Sequence, residues 1–280
     1  MKNTTTILKI LKELLFRNIL NILFFLLAIF FVVVLKKTEI GQVEVVFLNV
    51  GQGDAILIQQ GNYQILVDGG ADDTVLYELA KYLPWYDKTI EKVVLTHPHA
   101  DHINGLLLVL KKYTVGEVYY NPVEYPNLAY EYLKDTYNDI LVEIKSGDVL
   151  EYEDIYGVVL YPFEGEKIQE KNVNNSSVVM LFVLNGYKVL LMGDAEAELE
   201  EKLLDYTFLE GIDILKAGHH CSRTSSSISF LSFTQPVVAI CMCGIGNSLG
   251  HPHYETLEKF EKMNVQYFVT YRDGNIRFRF

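Results

Sequence analysis

The sequence predicts an α/β layered sandwich behind one N-terminal membrane helix. Three observations predict it. A single charge-free apolar run stands near the start, from Ile19 to Leu35. From Gln42 onward, short β-branched runs alternate with helical stretches. Several of those runs come in pairs joined by Gly- and Asn-containing turns, as neighbouring strands do.

The apolar run, ILNILFFLLAIFFVVVL, has Asn21 as its only polar residue. As a helix it reaches about 25 Å, near the lower limit for crossing a bilayer. Residues 1–37 carry Lys2, Lys9, Lys12, Arg17, Lys36 and Lys37 against Glu13. That segment is therefore +5, and the rest of a chain of net charge −12 is −17. Basic residues ahead of the run favour a cytoplasmic N-terminus with the remainder outside. A cleaved signal peptide and a buried core helix are the alternatives. The run is longer than a usual signal core, and Val34-Leu35-Lys36 offers no small-residue cleavage site. The expected organisation is a basic segment at 1–18, a transmembrane signal anchor at 19–35, a linker at 36–41 and one extracytoplasmic domain at 42–280.

Within the domain, VEVVFLNV (43–50), AILIQQ (55–60) and YQILVD (63–68) read as strands separated by GQGD and QGN. DTVLYELAKYL (73–83) puts Val75, Leu76, Leu79 and Leu83 on one helical face until Pro84 stops it. EKVVLT (91–96) is a strand and INGLLLVLKKY (103–113) a helix. Strand–helix pairs fill 117–145, and a hairpin-like stretch covers 148–162. VVMLFVL (178–184) and YKVLLM (187–192) flank Asn185-Gly186, a two-residue hairpin signal. AEAELEEKLLDY (195–206) is a helix and IDILKA (212–217) a strand. Three further elements are expected before Phe280.

Half of the 280 residues are hydrophobic and 12% are aromatic, which excludes a disordered chain. Three cysteines are too few for a disulfide scaffold. The acidic balance argues against a surface that coats nucleic acid, but not against a nucleic-acid substrate at one metal-rich site.

All seven histidines fall in three clusters, 97/99/102, 219/220 and 251/253, in polar loops after strands. THPHADHING (96–105) supplies His-x-His-x-Asp-His, which this composition yields by chance in about one chain in five thousand. One loop can aim His97 and His99 at one point and Asp101 and His102 at its neighbour. Imidazole and carboxylate suit zinc and tolerate manganese or iron. Asp68 ends ILVDGG, Asp194 follows KVLLMG, and His219-His220 follow ILKAG. Taken singly, each has an ordinary reading. Asp68 reads as an Asx-turn, Asp194 as an N-cap, and His253 as a first-turn residue behind Pro252 at N1.

Together, FLNVGQGDAILI (47–58), LVDGG (66–70), LTHPHADHING (95–105), NNSSVVM (174–180), LLMGDAE (190–196), LKAGHHCS (215–222) and GHPHYETL (250–257) resemble the metallo-β-lactamase superfamily. Within it they are most similar to the extracytoplasmic hydrolase domain of ComEC competence proteins. The resemblance covers 42–280 and implies a four-layer αββα sandwich holding two divalent ions, zinc first and manganese second. At the matching positions it implies His97 and His99 as ligands of one ion, and Asp101, His102 and His219 as ligands of the other, with His220 as the rival to His219. Asp194 is the implied bridge, and Asp101 and Asp194 serve catalysis with His251 as a donor to substrate. Asp68 supports the histidine loop, while Asp54 and Asn175, next to Asn174, lie nearby. Ser222, Thr224 and Ser225 are candidates to hold a phosphate.

Two departures stand out. No histidine between 102 and 219 completes the first ion, and Cys221 stands where the family usually has glycine. Cys221 is read as an inert small residue, and Cys241 and Cys243 are not expected to chelate together. The implied activity is hydrolysis of a phosphodiester, DNA foremost, by metal-activated hydroxide. A small ester, lactone, thioester or phosphorylated surface molecule is the alternative substrate, and a non-catalytic scaffold is the third class. A basic track for nucleic acid would draw on Lys216, Arg223, Arg272, Arg277 and Arg279.

Overall fold

The computed structural model describes residues 15–31, 41–166 and 172–280. The chain divides into two compact units, Met1–Gln42 and Val43–Phe280. In the first, residues 15–31 form a helix (α1) whose apolar side chains, Phe24, Phe25 and Leu27 among them, are exposed. Among the described residues no helix is long and apolar enough to cross a membrane. Residues 1–14 and 32–40 lie outside them. They hold most of the expected basic segment, the end of the expected anchor and most of the linker.

The second unit is built from two seven-stranded sheets. β1 (Val43–Phe47), β2 (Ile56–Gln60) and β3 (Tyr63–Val67) form an antiparallel meander. β4 (Thr89–Leu95), β5 (Thr114–Tyr120) and β6 (Leu141–Glu143) join in parallel. Parallel neighbours need crossovers, and α2 (Thr74–Leu79), α3 (Ala100–Lys112) and α4 (Leu128–Thr136) supply them. The second sheet repeats this plan. β7 (Val149–Tyr152), β8 (Ile155–Tyr161), β9 (Val179–Leu184) and β10 (Tyr187–Leu191) are antiparallel. β11 (Ile214–Lys216), β12 (Val238–Cys241) and β13 (Gln266–Val269) follow in parallel, with α5 (Ala197–Leu203), α6 (Ile228–Thr234) and α7 (Tyr254–Lys262) between them. After α8 (Thr270–Asp273), β14 (Ile276–Arg279) returns to the first sheet and pairs with β1.

Side-chain alternation along the strands makes the layers. Val43, Val45 and Phe47 of β1 point between the sheets, where they meet Ile58, Phe182, Val189 and Ile240. Val46 points the other way, into a core with Leu79, Leu106 and Leu110 of α2 and α3. Leu199, Leu231 and Phe260 of α5, α6 and α7 cover the far face of the second sheet. Each fully buried aliphatic or phenyl side chain contributes about 1.5–3 kcal/mol. The order helix, sheet, sheet, helix follows.

Several expected boundaries move. Asn185 (φ 49°) and Gly186 (φ 92°) make the expected hairpin turn between Leu184 and Tyr187. α2 ends at Leu79 and single turns carry the chain to Leu83. α5 spans only Ala197–Leu203 and is capped by Glu196, so Asp194 is not its N-cap. α3 starts at Ala100, which sets Asp101 and His102 on its first turn rather than in a free loop. α7 starts at Tyr254, so His253 is the N-cap residue and Pro252, cis to His251, lies before the helix. Six strands and α-helices follow residue 217 where three elements were expected, several only four residues long and too short to show a period.

Candidate metal centre

Asp68, His97, His99, Asp194 and His220 come from the segments that leave the carboxyl ends of β3, β4, β10 and β11, Asp101 and His102 from the first turn of α3, and Asp54 from the β1–β2 loop. Asp68 follows β3 at φ 58° and is fully buried. Its Oδ1 accepts from the Thr96 amide at 2.8 Å. Its Oδ2 accepts from the Thr96 hydroxyl at 2.7 Å and from His102 Nδ1 at 2.8 Å. Thr96 Oγ1, having donated to Asp68, accepts from His97 Nδ1 at 3.1 Å. One carboxylate thus sets two tautomers and leaves Nε2 of both His97 and His102 with a free lone pair.

His97 Nε2 and His99 Nδ1 are 2.9 Å apart, and Asp194 Oδ2 lies 3.7 Å from His97 Nε2. The second group is Asp101, His102 and His220. His220 Nε2 lies 3.3 Å from Asp101 Oδ2 and 3.3 Å from Asp194 Oδ2, and His102 Nε2 lies 3.5 Å from Asp194 Oδ2. Donors bound at about 2.0–2.1 Å to a tetrahedral ion are about 3.3 Å from one another. These separations match that geometry. Nε2 of His102 and Nε2 of His220 are buried without a hydrogen-bond partner. The donor set and its orphaned atoms therefore fit divalent ions, which this fold binds.

The carboxylates around these nitrogens also make the spot favourable for positive charge. Burial alone would lower the His102 pKa, but Asp194, Asp68 and Asp101 outweigh it and hold it well above the usual value. His220 is raised likewise, against burial, by Asp194 and Asp54. Burial would raise Asp194, yet His220 and His102 hold it well below the carboxylate range. His97, where burial dominates and His102 adds to it, is lowered well below the imidazole range.

The structure places the two histidines of the pair differently. His219, His220 and Cys221 all adopt positive φ (45°, 53°, 62°), a left-handed turn that costs about 1–3 kcal/mol per residue. It turns His220 inward. His220 Nδ1 donates to the Met242 carbonyl at 2.8 Å, which directs Nε2 to the carboxylates. His219 instead faces the rim, with Nδ1 3.0 Å from Glu196 Oε1, and joins neither group. The turn is held by the Ser225 hydroxyl donating to the Gly218 carbonyl at 2.6 Å and by a disulfide, Cys221–Cys241, to the end of β12. Cys221 is therefore not the inert small residue expected. Cys241 is already bonded, and Cys243, just past the end of β12, is a free buried thiol.

Other expected residues are placed as follows. Asp54 is buried against Lys216, with Oδ1 3.3 Å from His220 Nδ1. The His251 ring lies 5.2 Å from that of His219 and 5.9 Å from that of His220. Its pKa is pushed down to about 4 by burial and then by His220. Asn175 turns away, its Oδ1 accepting from the Glu196 amide at 2.8 Å, and Asn174 leans on His219 at 3.4 Å. Ser222, Thr224 and Ser225 spend their hydroxyls internally. Thr224 donates to Glu196 at 2.8 Å, Ser222 Oγ lies 3.0 Å from Thr224 Oγ1, and Ser225 holds the turn.

Three contributors went unpredicted. Ser177, fully buried, lies 3.3 Å from His97 Nδ1 and accepts from the Asp194 amide at 2.9 Å, so the histidine-free middle of the chain supplies an orienting hydroxyl. The Met242 carbonyl is the second. Lys216 is the third, read beforehand only as a surface cation but fully buried here. Its one visible signal is a charge in the apolar run ILKA.

The Metallo-beta-lactamase superfamily profile matches residues 48–244. The chain is similar to Recombination protein 2 of Haemophilus influenzae, 30% identical over 268 residues that cover 94% of this chain and 32% of that protein. It is similar to ComE operon protein 3 of Bacillus subtilis, 27% identical over 265 residues, 85% of this chain and 33% of that one. It is also 27% identical to Competence protein ComA of Neisseria gonorrhoeae over 81% of this chain and 31% of that one. These are ComEC-family competence proteins, and the chain spans about a third of their length. Among solved structures, the metallo-beta-lactamase fold protein YhfI from Bacillus subtilis aligns with TM-score 0.59 at 14% identity, covering 85% of this chain and all of that one. CmlA, a diiron β-hydroxylase from Streptomyces venezuelae, aligns with TM-score 0.56 at 16% identity, covering 86% and 54%. At such identities the likeness speaks for the fold alone.

Proposed function

Because the chain belongs to the metallo-β-lactamase superfamily, we propose that it is a metal-dependent phosphodiesterase, and in its most specific form a nuclease. The observation that carries this reading is the position of Asp194 Oδ2, between the His97–His99 pair and the Asp101–His102–His220 group. A carboxylate oxygen so placed is suited to two ions at once. In this reading His97 and His99 hold the first ion, Asp101, His102 and His220 hold the second, and Asp194 joins them. Asp54, Asp68, Asp101 and Asp194 face one ammonium, Lys216, and two divalent ions offset the excess of negative charge.

When bound, such ions bring the pKa of a shared water toward neutrality and polarise the scissile ester. Zinc suits the nitrogen and oxygen donors best, and manganese is the second choice. The chain itself orients the imidazoles through Asp68, Thr96 and Met242. His251, neutral at pH 7 and with Nδ1 free of a partner, supplies a hydrogen-bonding group to the substrate. DNA as the phosphodiester draws support from relatives named for competence and recombination.

Hydrolysis of a small ester, lactone, thioester or phosphorylated surface molecule is the second reading, and one observation favours it. Of the five cations expected to form a track, Lys216 is buried, Arg277 and Arg279 pair with Glu44, and Arg272 pairs with Asp273. Arg223, beside His253, is exposed next to the histidine clusters and lies 3.7 Å from Glu255. We further propose that residues 19–35 anchor the chain with the hydrolase unit outside, a placement that the Cys221–Cys241 disulfide supports because such bonds persist in oxidising compartments. Resistance to alkaline extraction, with protease access to the hydrolase unit only from the outer face, is the expected result.

Metal content and turnover of bis-p-nitrophenyl phosphate, linear DNA, phosphocholine esters and lactones test the activity. We expect two ions per chain, phosphodiester cleavage abolished by chelation, and a loss of at least about a hundredfold in His97→Ala and Asp194→Ala with the fold retained. Full activity after metal removal would sink the proposal. Inertness toward every phosphodiester would leave the small-ester reading.

A further inference from the structure

Lys216 is the last residue of β11 and has no exposed surface. Its ammonium pairs with Asp54, donates to the Gly193 carbonyl at 2.7 Å and lies 3.7 Å from Asp194 Oδ1. Asp194 therefore faces two environments. Its Oδ2 is 3.3–3.7 Å from the Nε2 atoms of His97, His102 and His220, while its Oδ1, buried and without a hydrogen bond, looks toward Lys216. An ammonium has three donors and no lone pair, so it cannot ligate a cation and repels one that approaches. No ion can settle against Oδ1 while Lys216 is there.

Stability does not account for this charge. A buried ion pair is often no more stabilising than apolar side chains of the same volume, because desolvation offsets the Coulomb gain. The ammonium also reaches the other side of the centre. Asp54, which it holds, keeps Oδ1 3.3 Å from His220 Nδ1, and Gly193, whose carbonyl it shares, accepts the His219 amide at 3.2 Å.

We propose that Lys216 is a positioning residue that blocks Asp194 Oδ1 and so forces the carboxylate to bridge two ions through Oδ2 alone. The proposal rests on the two-ion reading above. Without the ammonium, Asp194 is free to turn and chelate one ion with both oxygens, which uncouples the pair while leaving both ions bound.

The test uses the full chain loaded with Mn(II), and the double variant Lys216→Met/Asp54→Asn, which removes both charges together and strands no buried carboxylate. Wild type is expected to bind two ions and to give the electron paramagnetic resonance spectrum of an exchange-coupled pair. The variant is expected to bind two ions with weakened coupling and stepwise dissociation constants about tenfold further apart. Unchanged coupling and unchanged constants in the variant would overturn the role of Lys216. A wild-type chain that binds a single ion would instead overturn the two-ion reading, whatever the variant does. Should the double variant not fold, Lys216→Gln, nearly isosteric and uncharged, is judged by the same two outcomes.

Discussion

His219 and His220 are chemically identical neighbours, and backbone geometry alone separates them. The left-handed turn points one ring at Glu196 and the other at Asp101 and Asp194. His220→Ala is therefore expected to bind one ion fewer per chain, while His219→Ala retains both, as read by metal analysis after dialysis. The resemblance favours His219 with His220 as its rival, and the sequence carries no sign of the difference, because it rests on φ values imposed by the Gly218 carbonyl, the Gly193 carbonyl and a disulfide to another strand. Ser177 and Lys216 were hidden for a related reason: each acts through a partner far along the chain. Cysteine chemistry gives a second expectation. Burial pushes the Cys243 thiol up to about 12, so it stays protonated and unreactive at pH 8. Thiol titration should count none in the native protein, one after unfolding and three after unfolding with reduction. One fast-reacting thiol in the native state would contradict that burial.

At the scale of elements, the centre depends on how α3 meets the loops before it. Gly69 and Gly105 touch. A Cβ on Gly105 would sit 1.9 Å from the Gly69 carbonyl oxygen, and one on Gly69 would sit 2.2 Å from the Leu106 amide nitrogen. Backbone hydrogen bonds, the Gly69 amide donating to the His102 carbonyl and the Gly105 amide to the Gly70 carbonyl, each 2.9 Å, fasten the helix start to the strand end that carries Asp68. Gly105→Ala improves helix propensity by about 1 kcal/mol. It also drives a methyl group into backbone, which costs about 1–3 kcal/mol or more. Overpacking wins. The expected outcome is a lower denaturant midpoint and a weaker second ion, since Asp101 and His102 ride on the displaced turn. Strands with β-branched runs and the Asn185-Gly186 hairpin were readable from local pattern. The four-residue elements after 217 were not, because their strands are defined by pairing with β11, β12 and β1 rather than by their own periodicity.

For the whole molecule, charge distribution governs how a substrate arrives. Residues 38–280 carry −17, and their basic side chains are largely paired within the fold. A polyanion approaching that surface is repelled, and salt screens repulsion over about 10 Å at 0.1 M. If DNA is the substrate, kcat/KM should rise a few-fold, in order of magnitude, between low and moderate ionic strength, the reverse of a basic nuclease. Turnover of a small neutral lactone should not change. A DNA rate that falls with salt would point to a cationic path that the folded charge pattern does not contain.

The pairing of β14 with β1 has a consequence for how the protein is made. Val43–Phe47 lies at the start of the hydrolase unit, and its outer edge is covered only by Ile276–Arg279, the last strand of the chain, with Arg277 clamped on Glu44. Closing a loop of that length is slow, and the bare strand edge is open to wrong partners until it happens. The first sheet is thus completed only after Ile276–Arg279 has been made.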